Sequence, residues 1–180
     1  FTSLHLNRFE HLDNIKQMRF TEKLVVADPT AWKSIQTGRG NWFENALQNV
    51  LQQFSVSDNG FFIMAEAAQI DYGGHNNNLP YIVQEVLDFD KVVGRALEFA
   101  DQNGETIVIV TADHETGGLT LLDGDYKTGM VSGQFATNDH TAVPVPVFAY
   151  GPMAHLFTGV YENTEVFYKI LQAIGIKTIK

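Results

Sequence analysis

The sequence contains no cysteine, so disulfide bonds and thiolate metal ligands are excluded. It also lacks any apolar stretch approaching the roughly 20 residues that a membrane-spanning helix requires, and we expect no transmembrane segment. Basic residues are few: 12 lysines and arginines stand against 21 aspartates and glutamates, and the net charge of −9 argues against a nucleic-acid partner. The chain has 180 residues, of which 44% are hydrophobic, and this suffices for one folded domain with a buried core.

Six potential metal ligands, all carboxylates or imidazoles, are concentrated in three short segments: Glu66, Asp71 and His75; Asp113 and His114; and His140. This mixture of ligands suits zinc with an open coordination position, and a neighbouring group of carboxylates can hold magnesium. The remaining histidines stand outside any such pattern, and we interpret them as surface or packing residues: His5, His11 and His155.

Each of these residues, taken alone, also has a plain structural interpretation. A single histidine or aspartate in a loop is usually solvated or caps a turn, and Asp113 could do no more than that. The spacing of four between Asp71 and His75 fits either a helical turn or a tight loop. Gly73 and Gly74, which lie between them, favour the loop. The joint pattern, with acids and imidazoles repeated at the ends of apolar runs, is what predicts a metal site.

Two of the ligand segments follow apolar runs that are typical of buried strands. Residues 61–65 precede Glu66, and residues 106–111 precede Asp113. Between the two runs, residues 80–102 carry apolar side chains at helical spacing, with proline in the first turn and Asn-Gly at the end. We therefore expect a βαβ unit with neighbouring parallel strands, whose carboxyl ends bring the two ligand segments to one sheet edge.

The rest of the chain predicts helices and short strands around this unit. Further elements follow from apolar spacing and turn residues: helices at 28–32, 41–54 and 163–173, strands at 119–122 and 143–150, and a turn at 123–125. Residues 129–137 could form another strand or an excursion that delivers His140. We interpret residues 1–180 as a single domain. In it, residues 1–58 form a helical covering segment and residues 59–180 form the α/β core that carries the metal ligands.

The ligands also stand in an ordered set of motifs: Glu66-x4-Asp71-x3-His75, Thr111-Ala-Asp-His114, His140-Thr141 and Phe148-Ala-Tyr-Gly-Pro152. In this combination the chain resembles the carboxyl-terminal half of an alkaline phosphatase over about residues 60–175. The run Asp-His-Glu-Thr-Gly-Gly that ends at Gly118 is similar to the bacterial members.

The resemblance implies a three-layer α/β sandwich around a central, mostly parallel sheet, and hydrolysis of phosphate monoesters with two zinc ions and one magnesium ion. It assigns the six ligands to three ions: Asp71, His75 and His140 to the first zinc, Asp113 and His114 to the second, and Glu66 to magnesium. It further implies a phosphate monoester or inorganic phosphate as ligand, a homodimer, and a periplasmic or secreted location.

The chain departs from the family where the nucleophile should be. Members carry a serine in an Asp-Ser-Ala-like motif and an arginine that clamps phosphate, but no Asp-Ser dipeptide occurs here and no arginine offers a recognisable clamp. Tyr72 occupies a position that holds lysine or histidine in some relatives. From these departures and the start at Phe1, we expect a fragment of a longer enzyme that binds metal alone but does not turn over a phosphoenzyme.

Three other interpretations stay open. The chain could belong to another hydrolase of the same superfamily, such as a phosphodiesterase or a phosphonate hydrolase. It could be a catalytically inactive metal-binding or interaction module. It could also be a structural domain in which the six residues are merely solvated, which a metal titration against thermal stability would reveal.

Overall fold

The computed structural model describes residues 9–10, 25–26 and 28–176. Near the amino terminus, strands β1 (Phe9–Glu10) and β2 (Val25–Val26) pair in parallel. A 3₁₀ helix follows at Pro29–Trp32, where the predicted short helix was expected, and the Asp28 side chain caps it by accepting a hydrogen bond from the Thr30 N–H. Most of the predicted covering segment before residue 28 lies outside the described residues.

The remaining elements are three helices, then six short strands, then a 3₁₀ helix and a last helix. The helices are α1 (Trp42–Phe54), α2 (Gln69–His75), α3 (Leu79–Asn103), a second 3₁₀ helix (Ala154–Phe157) and α4 (Glu165–Ala173). The strands are β3 (Val108–Thr111), β4 (Glu115–Thr116), β5 (Thr120–Asp125), β6 (Met130–Gln134), β7 (His140–Thr141) and β8 (Val147–Tyr150). Strand β3 pairs with β8, β4 with β7, and β5 with β6, all antiparallel. No helix in the described ranges is long and apolar enough to cross a membrane.

Helix α3 confirms the predicted long helix, and its ends follow local rules. The side chain of Asn78 accepts a hydrogen bond from the Tyr81 N–H, and Pro80 stands in the first turn, where no N–H is needed. Gly104 ends the helix in the left-handed conformation, with φ of 71°. The caps and the apolar spacing are both local in sequence, which is why the helix could be predicted.

The described hydrophobic core lies where α1 packs on α3. Leu47 and Leu51 of α1 meet Val92 of α3, and the rings of Phe43 and Phe89 stack beside them at 6.2 Å. This contact confirms the predicted amphipathic helix at 41–54. It also fixes α3, which leads through the turn at 104–107 into β3 and the ligand-bearing loop.

The predicted strand at residues 61–65 and the parallel βαβ unit are wrong in the described structure. Residues 61–67 form no regular secondary structure and pair with no described strand, and Phe62 and Met64 are 64% and 83% exposed. Strand β3 instead pairs with β8, in antiparallel order. An apolar run forms a strand only where a partner lies alongside, and the described residues form two-stranded sheets rather than the expected central parallel sheet.

The predicted turn at 123–125 is also displaced. Residues Asp123 and Asp125 belong to β5, which continues through a register shift after Leu121, and the chain reverses at residues 126–129. Gly129 takes the positive φ of 70° that closes this reversal. The second glycine of the hairpin, instead of the Asp-Gly-Asp run, therefore sets the turn.

Candidate metal centre

Helix α2 carries Asp71 and His75 one turn apart, so the predicted glycine loop between them is wrong. The two glycines have a different purpose, since both are buried and allow close packing. A Cβ atom on Gly74 would lie 2.8 Å from the Cβ of Thr116 in β4, which is closer than side chains approach. Gly74 thus lets α2 lie directly against β4, and this contact brings the two ligands of α2 to the second ligand segment.

The third segment joins through the short pair of β4 and β7. Thr116 lies opposite His140 in this antiparallel ladder, and Glu115 lies opposite Thr141. As a result, the rings of His114 and His140 stack with centroids 3.6 Å apart and planes 21° apart. The two cross-strand pairs of this ladder thus bring His114 and His140 side by side, although 26 positions separate them in sequence.

Glu115 anchors this pairing, and sequence analysis did not single it out. Its carboxylate accepts hydrogen bonds from the Thr141 hydroxyl and from the N–H groups of Gly118 and Leu119, at 3.0 and 3.1 Å for the last two. Partial burial would raise the pKa of Glu115, but these hydrogen bonds and the nearby His114 outweigh it and hold the pKa below its ordinary value. The Asp-His-Glu-Thr-Gly-Gly run contains Glu115, but the sequence alone does not indicate that this glutamate caps the turn after its own strand.

The side chains of three residues, Asp71, His75 and His140, form a compact triangle at the centre of the site. The Nε2 atom of His75 lies 3.1 Å from Nε2 of His140 and 3.4 Å from Oδ2 of Asp71. Oδ1 of Asp71 lies 3.7 Å from Nε2 of His140. In a tetrahedral zinc site with bonds of about 2.0–2.1 Å, ligand atoms stand about 3.3 Å apart. The contacts between the three side chains, two of which use different oxygens of Asp71, are therefore close to the ligand separations in a zinc site.

The hydrogen-bonding state of His75 supports the same conclusion. Its Nδ1 atom lies 2.7 Å from the carbonyl oxygen of Asn138, which can only accept, so Nδ1 carries the hydrogen. The neutral imidazole then presents a lone pair at Nε2, towards the carboxylate of Asp71. Two electron-rich groups at this distance need a cation or an extra proton between them.

Thr116 imposes the same arrangement on His114. Its hydroxyl donates to Oδ1 of Asp71 at 2.5 Å, so its oxygen is free to accept from Nδ1 of His114, which lies at 3.2 Å. Nε2 of His114 then presents its lone pair to the Asp113 carboxylate, 3.3 Å away. One threonine, which sequence analysis did not identify, orients ligands on both sides of the site as outer partners of metal ligands do.

The structure brings together four of the six predicted ligands in one cluster: Asp71, His75, His114 and His140. Two overlapping groups have ligand atoms within 4.8 Å of one another, namely Asp71 with His114 and His140, and His75 with Asp139 and His140. Asp139 was not predicted, although it directly precedes a predicted ligand.

The last two predicted ligands lie at the edge or outside. Asp113 touches the cluster through His114, and its side chain is 87% exposed. Glu66 lies exposed in the irregular segment before α2 and is absent from both metal-capable groups of the described residues. The ligand chemistry of the cluster, with carboxylates and imidazoles on one open face, fits zinc.

Comparison with known proteins points to one family. The model of the family described as alkaline phosphatase matches residues 42–136 and 126–176. Alkaline phosphatase of Escherichia coli K12 is 33% identical over 143 residues, covering 71% of this chain and 30% of the relative. Streptomycin-6-phosphate phosphatase of Streptomyces griseus is 35% identical over 137 residues, covering 66% and 30%. The first matched range contains Asp71, His75 and His114, and the second contains His140.

Solved structures agree with this match. Alkaline phosphatase from the Antarctic bacterium TAB5 superposes with a TM-score of 0.81 at 39% identity, over 95% of this chain and 53% of that one. A variant of that enzyme with magnesium bound in its M3 site gives 0.76 at 38% identity, over 93% and 51%. The chain spans about 30% of these curated relatives and about half of the solved structures. The chain belongs to the alkaline phosphatase family.

Proposed function

We propose that this chain supplies the metal-binding part of a hydrolase for phosphate monoesters, with two zinc ions and one magnesium ion as cofactors. The observation that carries the proposal is the close approach of three side chains: Nε2 of His75 lies 3.1 Å from Nε2 of His140 and 3.4 Å from Oδ2 of Asp71, and Nε2 of His140 lies 3.7 Å from Oδ1 of Asp71. Three protein ligands leave zinc a fourth position for water or substrate, as in catalytic zinc sites.

Each residue of the cluster has a distinct part in the proposal. Asp71, His75 and His140 hold the first zinc, Asp113 and His114 hold the second, and Glu66 contributes to magnesium. When bound, two metal ions stabilise the attacking and leaving oxygens of an in-line phosphoryl transfer. Thr116 and the Asn138 carbonyl keep the imidazoles turned towards the ions.

The relatives support the reaction class, because those compared are phosphatases by name. They do not supply the nucleophile, which the sequence lacks in its family context. We propose that serine, arginine clamp and the central parallel sheet of a three-layer sandwich belong to the rest of a longer fold. In the same reading the enzyme is a periplasmic or secreted homodimer, and residues 1–58 cover a core at residues 59–180.

A chimera tests this function directly. In it, this chain replaces the matching half of the TAB5 enzyme, and the purified protein is assayed with 4-nitrophenyl phosphate in the presence of zinc and magnesium. We expect hydrolysis that is lost on chelation and in His75→Ala, and kept in the control His155→Ala, whose exposed side chain lies outside the cluster. A folded, zinc-loaded chimera without hydrolysis, or hydrolysis that survives His75→Ala, contradicts the proposal.

A second candidate is a metal-binding module without catalytic activity, and the missing Asp-Ser dipeptide favours it. The isolated chain separates the two readings. Zinc-dependent binding of inorganic phosphate without turnover is the expected behaviour in both cases, but only the hydrolase proposal predicts activity in the chimera. Faster hydrolysis of bis(4-nitrophenyl) phosphate than of the monoester would assign the chimera to the phosphodiesterases instead.

A further inference from the structure

We propose that Trp32 and Tyr72 form an aromatic subsite beside the metal cluster, which binds the ring of an aryl phosphate monoester. The inference rests on the proposed function, because the phosphate group of such a ligand would be held by the metal-binding residues. It adds a substrate class to that function, namely esters in which a planar aromatic group is attached to the phosphate oxygen.

The two rings form an open edge-to-face pair. Their centroids lie 5.5 Å apart with an interplanar angle of 77°, which is a favourable geometry for aromatic rings. Both rings nevertheless keep surface that no other described residue covers, since Trp32 is 67% exposed and Tyr72 is 40% exposed. Much of the indole surface is therefore accessible to a third ring.

Tyr72 places this pair next to the metal ligands. It directly follows Asp71 on α2, and successive residues of a helix are about 100° apart around the axis. The side chain of Tyr72 thus leaves the helix about 100° from Asp71 and about 60° from His75. Tyr72 therefore places the aromatic pair beside the two predicted metal ligands of α2.

The tryptophan is fixed in place by a buried glutamine. The Gln69 side chain is only 9% exposed, donates to the Trp32 carbonyl at 3.1 Å and accepts a hydrogen bond from the Tyr81 hydroxyl. Gln69 lies on α2, two residues before Asp71, and Tyr81 lies on α3. The same two helices that position the ligands therefore also position Trp32.

A second tether holds the segment that follows. Arg39 is buried and pairs with Glu85 and with Asp88 of α3, while its guanidinium also donates to the Lys33 carbonyl at 3.0 Å. Glu85 accepts a further hydrogen bond from the Ile35 N–H at 2.8 Å. Hydrogen bonds to the carbonyls of Trp32 and Lys33 therefore hold the backbone that carries the exposed indole, and preorganisation of this kind favours binding.

Isothermal titration of the zinc-loaded chain tests the subsite without relying on turnover. The probes are phenylphosphonate and methylphosphonate, which share one charged group and differ only in the ring. We expect phenylphosphonate to bind ~5- to 10-fold more tightly, the lower range for stacking on an aromatic side chain. Trp32→Leu and Tyr72→Leu should each reduce this preference, with little change in the affinity for methylphosphonate in Trp32→Leu.

The control is Tyr126→Leu, which removes another fully exposed ring from the distant hairpin turn and should leave the preference intact. Equal affinity for the two probes, or a preference that survives Trp32→Leu, overturns the aromatic subsite while the metal site stands. If neither phosphonate binds the zinc-loaded chain, the proposed function fails, and the subsite fails with it. Unfolding midpoints of all variants establish that each is folded.

Discussion

His75 and Asn138 are joined by a hydrogen bond of 2.7 Å between the imidazole Nδ1 and the backbone carbonyl, although 63 positions separate them in sequence. The bond links α2 to the loop before β7 and decides which ring nitrogen is available as a ligand. Because Nδ1 carries the hydrogen, Nε2 faces Asp71 and His140 with its lone pair. The polypeptide backbone itself thereby prepares the histidine for a cation.

Thr116→Val should weaken zinc binding while keeping the shape of the side chain. The change removes the hydrogen bond to Asp71 and the partner of His114 Nδ1, and loss of such outer partners typically costs about 10–100-fold in metal affinity. Zinc dissociation constants are measured by competition with a chelating dye. Thr120→Val, on the exposed start of β5, is the control, and equal affinities of the two variants would show that Thr116 does not orient the ligands.

Gly74→Ala and Gly94→Ala should have opposite effects on stability, although both glycines are helical. A Cβ at Gly74 meets Thr116 at 2.8 Å, whereas one at Gly94 has nothing within 4 Å. We expect Gly74→Ala to destabilise the chain by about 1–3 kcal/mol through overpacking and to weaken zinc binding. Gly94→Ala should stabilise it by about 0.5–1 kcal/mol. Urea unfolding decides, and two equally harmless substitutions would refute the close approach of α2 and β4.

Arg39→Met should be strongly destabilising, because it leaves Glu85 and Asp88 buried without their cation. Removing one partner of a buried ionic network costs about 3–5 kcal/mol. Arg95→Met is the matched control: that side chain is 40% exposed where it pairs with Glu44 and Glu98, and exposed pairs contribute about 0–1 kcal/mol. Similar losses in unfolding free energy for both variants would contradict the burial of the Arg39 network. Adding Glu85→Gln to Arg39→Met should recover part of the stability.

Tyr150 should ionise at a higher pH than an ordinary tyrosine. Its hydroxyl donates to the Asp101 carboxylate, which raises the pKa of Tyr150 by stabilising the neutral phenol. Because the folded pKa is raised, the contribution to stability is fully present below the unfolded value of about 10 and is lost as the pH rises through the folded value. The measurement is tyrosinate absorbance during a pH titration in the presence of a chelator. The ionisation step at raised pH should be lost in Asp101→Asn and should persist in the control Asp90→Asn. Superimposable titrations of the chain and Asp101→Asn would contradict the bond.

The local parts of the fold were predictable from sequence, and the pairing of distant parts was not. The ends of helix α3 are indicated by Asn78, Pro80 and Gly104, which all lie within or next to the helix. Residues 61–65 have the composition of a buried strand, but a strand also needs a partner, and no local pattern reveals whether one lies alongside. Gly74 led to the wrong prediction of a loop for a similar reason, since its packing partner Thr116 is more than 40 residues away.

The same distinction applies to the site. Asp71, His75, His114 and His140 were predicted as ligands because their residue types fit a metal and a family pattern, and the structure gathers them. Thr116 and Glu115 were missed, since each acts through contacts that only the β4–β7 ladder creates. No sequence rule would single out a threonine for a bond to an aspartate 45 positions away.

Zinc content of the purified chain, measured by elemental analysis after dialysis, tests the central claim most directly. The proteins to compare are the unaltered chain, the double variant His75→Ala/His140→Ala, and the control His155→Ala. The triangle of the Asp71, His75 and His140 side chains predicts at least about one equivalent of zinc in the chain and in the control, and loss of that equivalent in the double variant. A chain that retains no zinc, or a double variant that retains as much as the unaltered chain, would contradict the assignment of this cluster as a metal site.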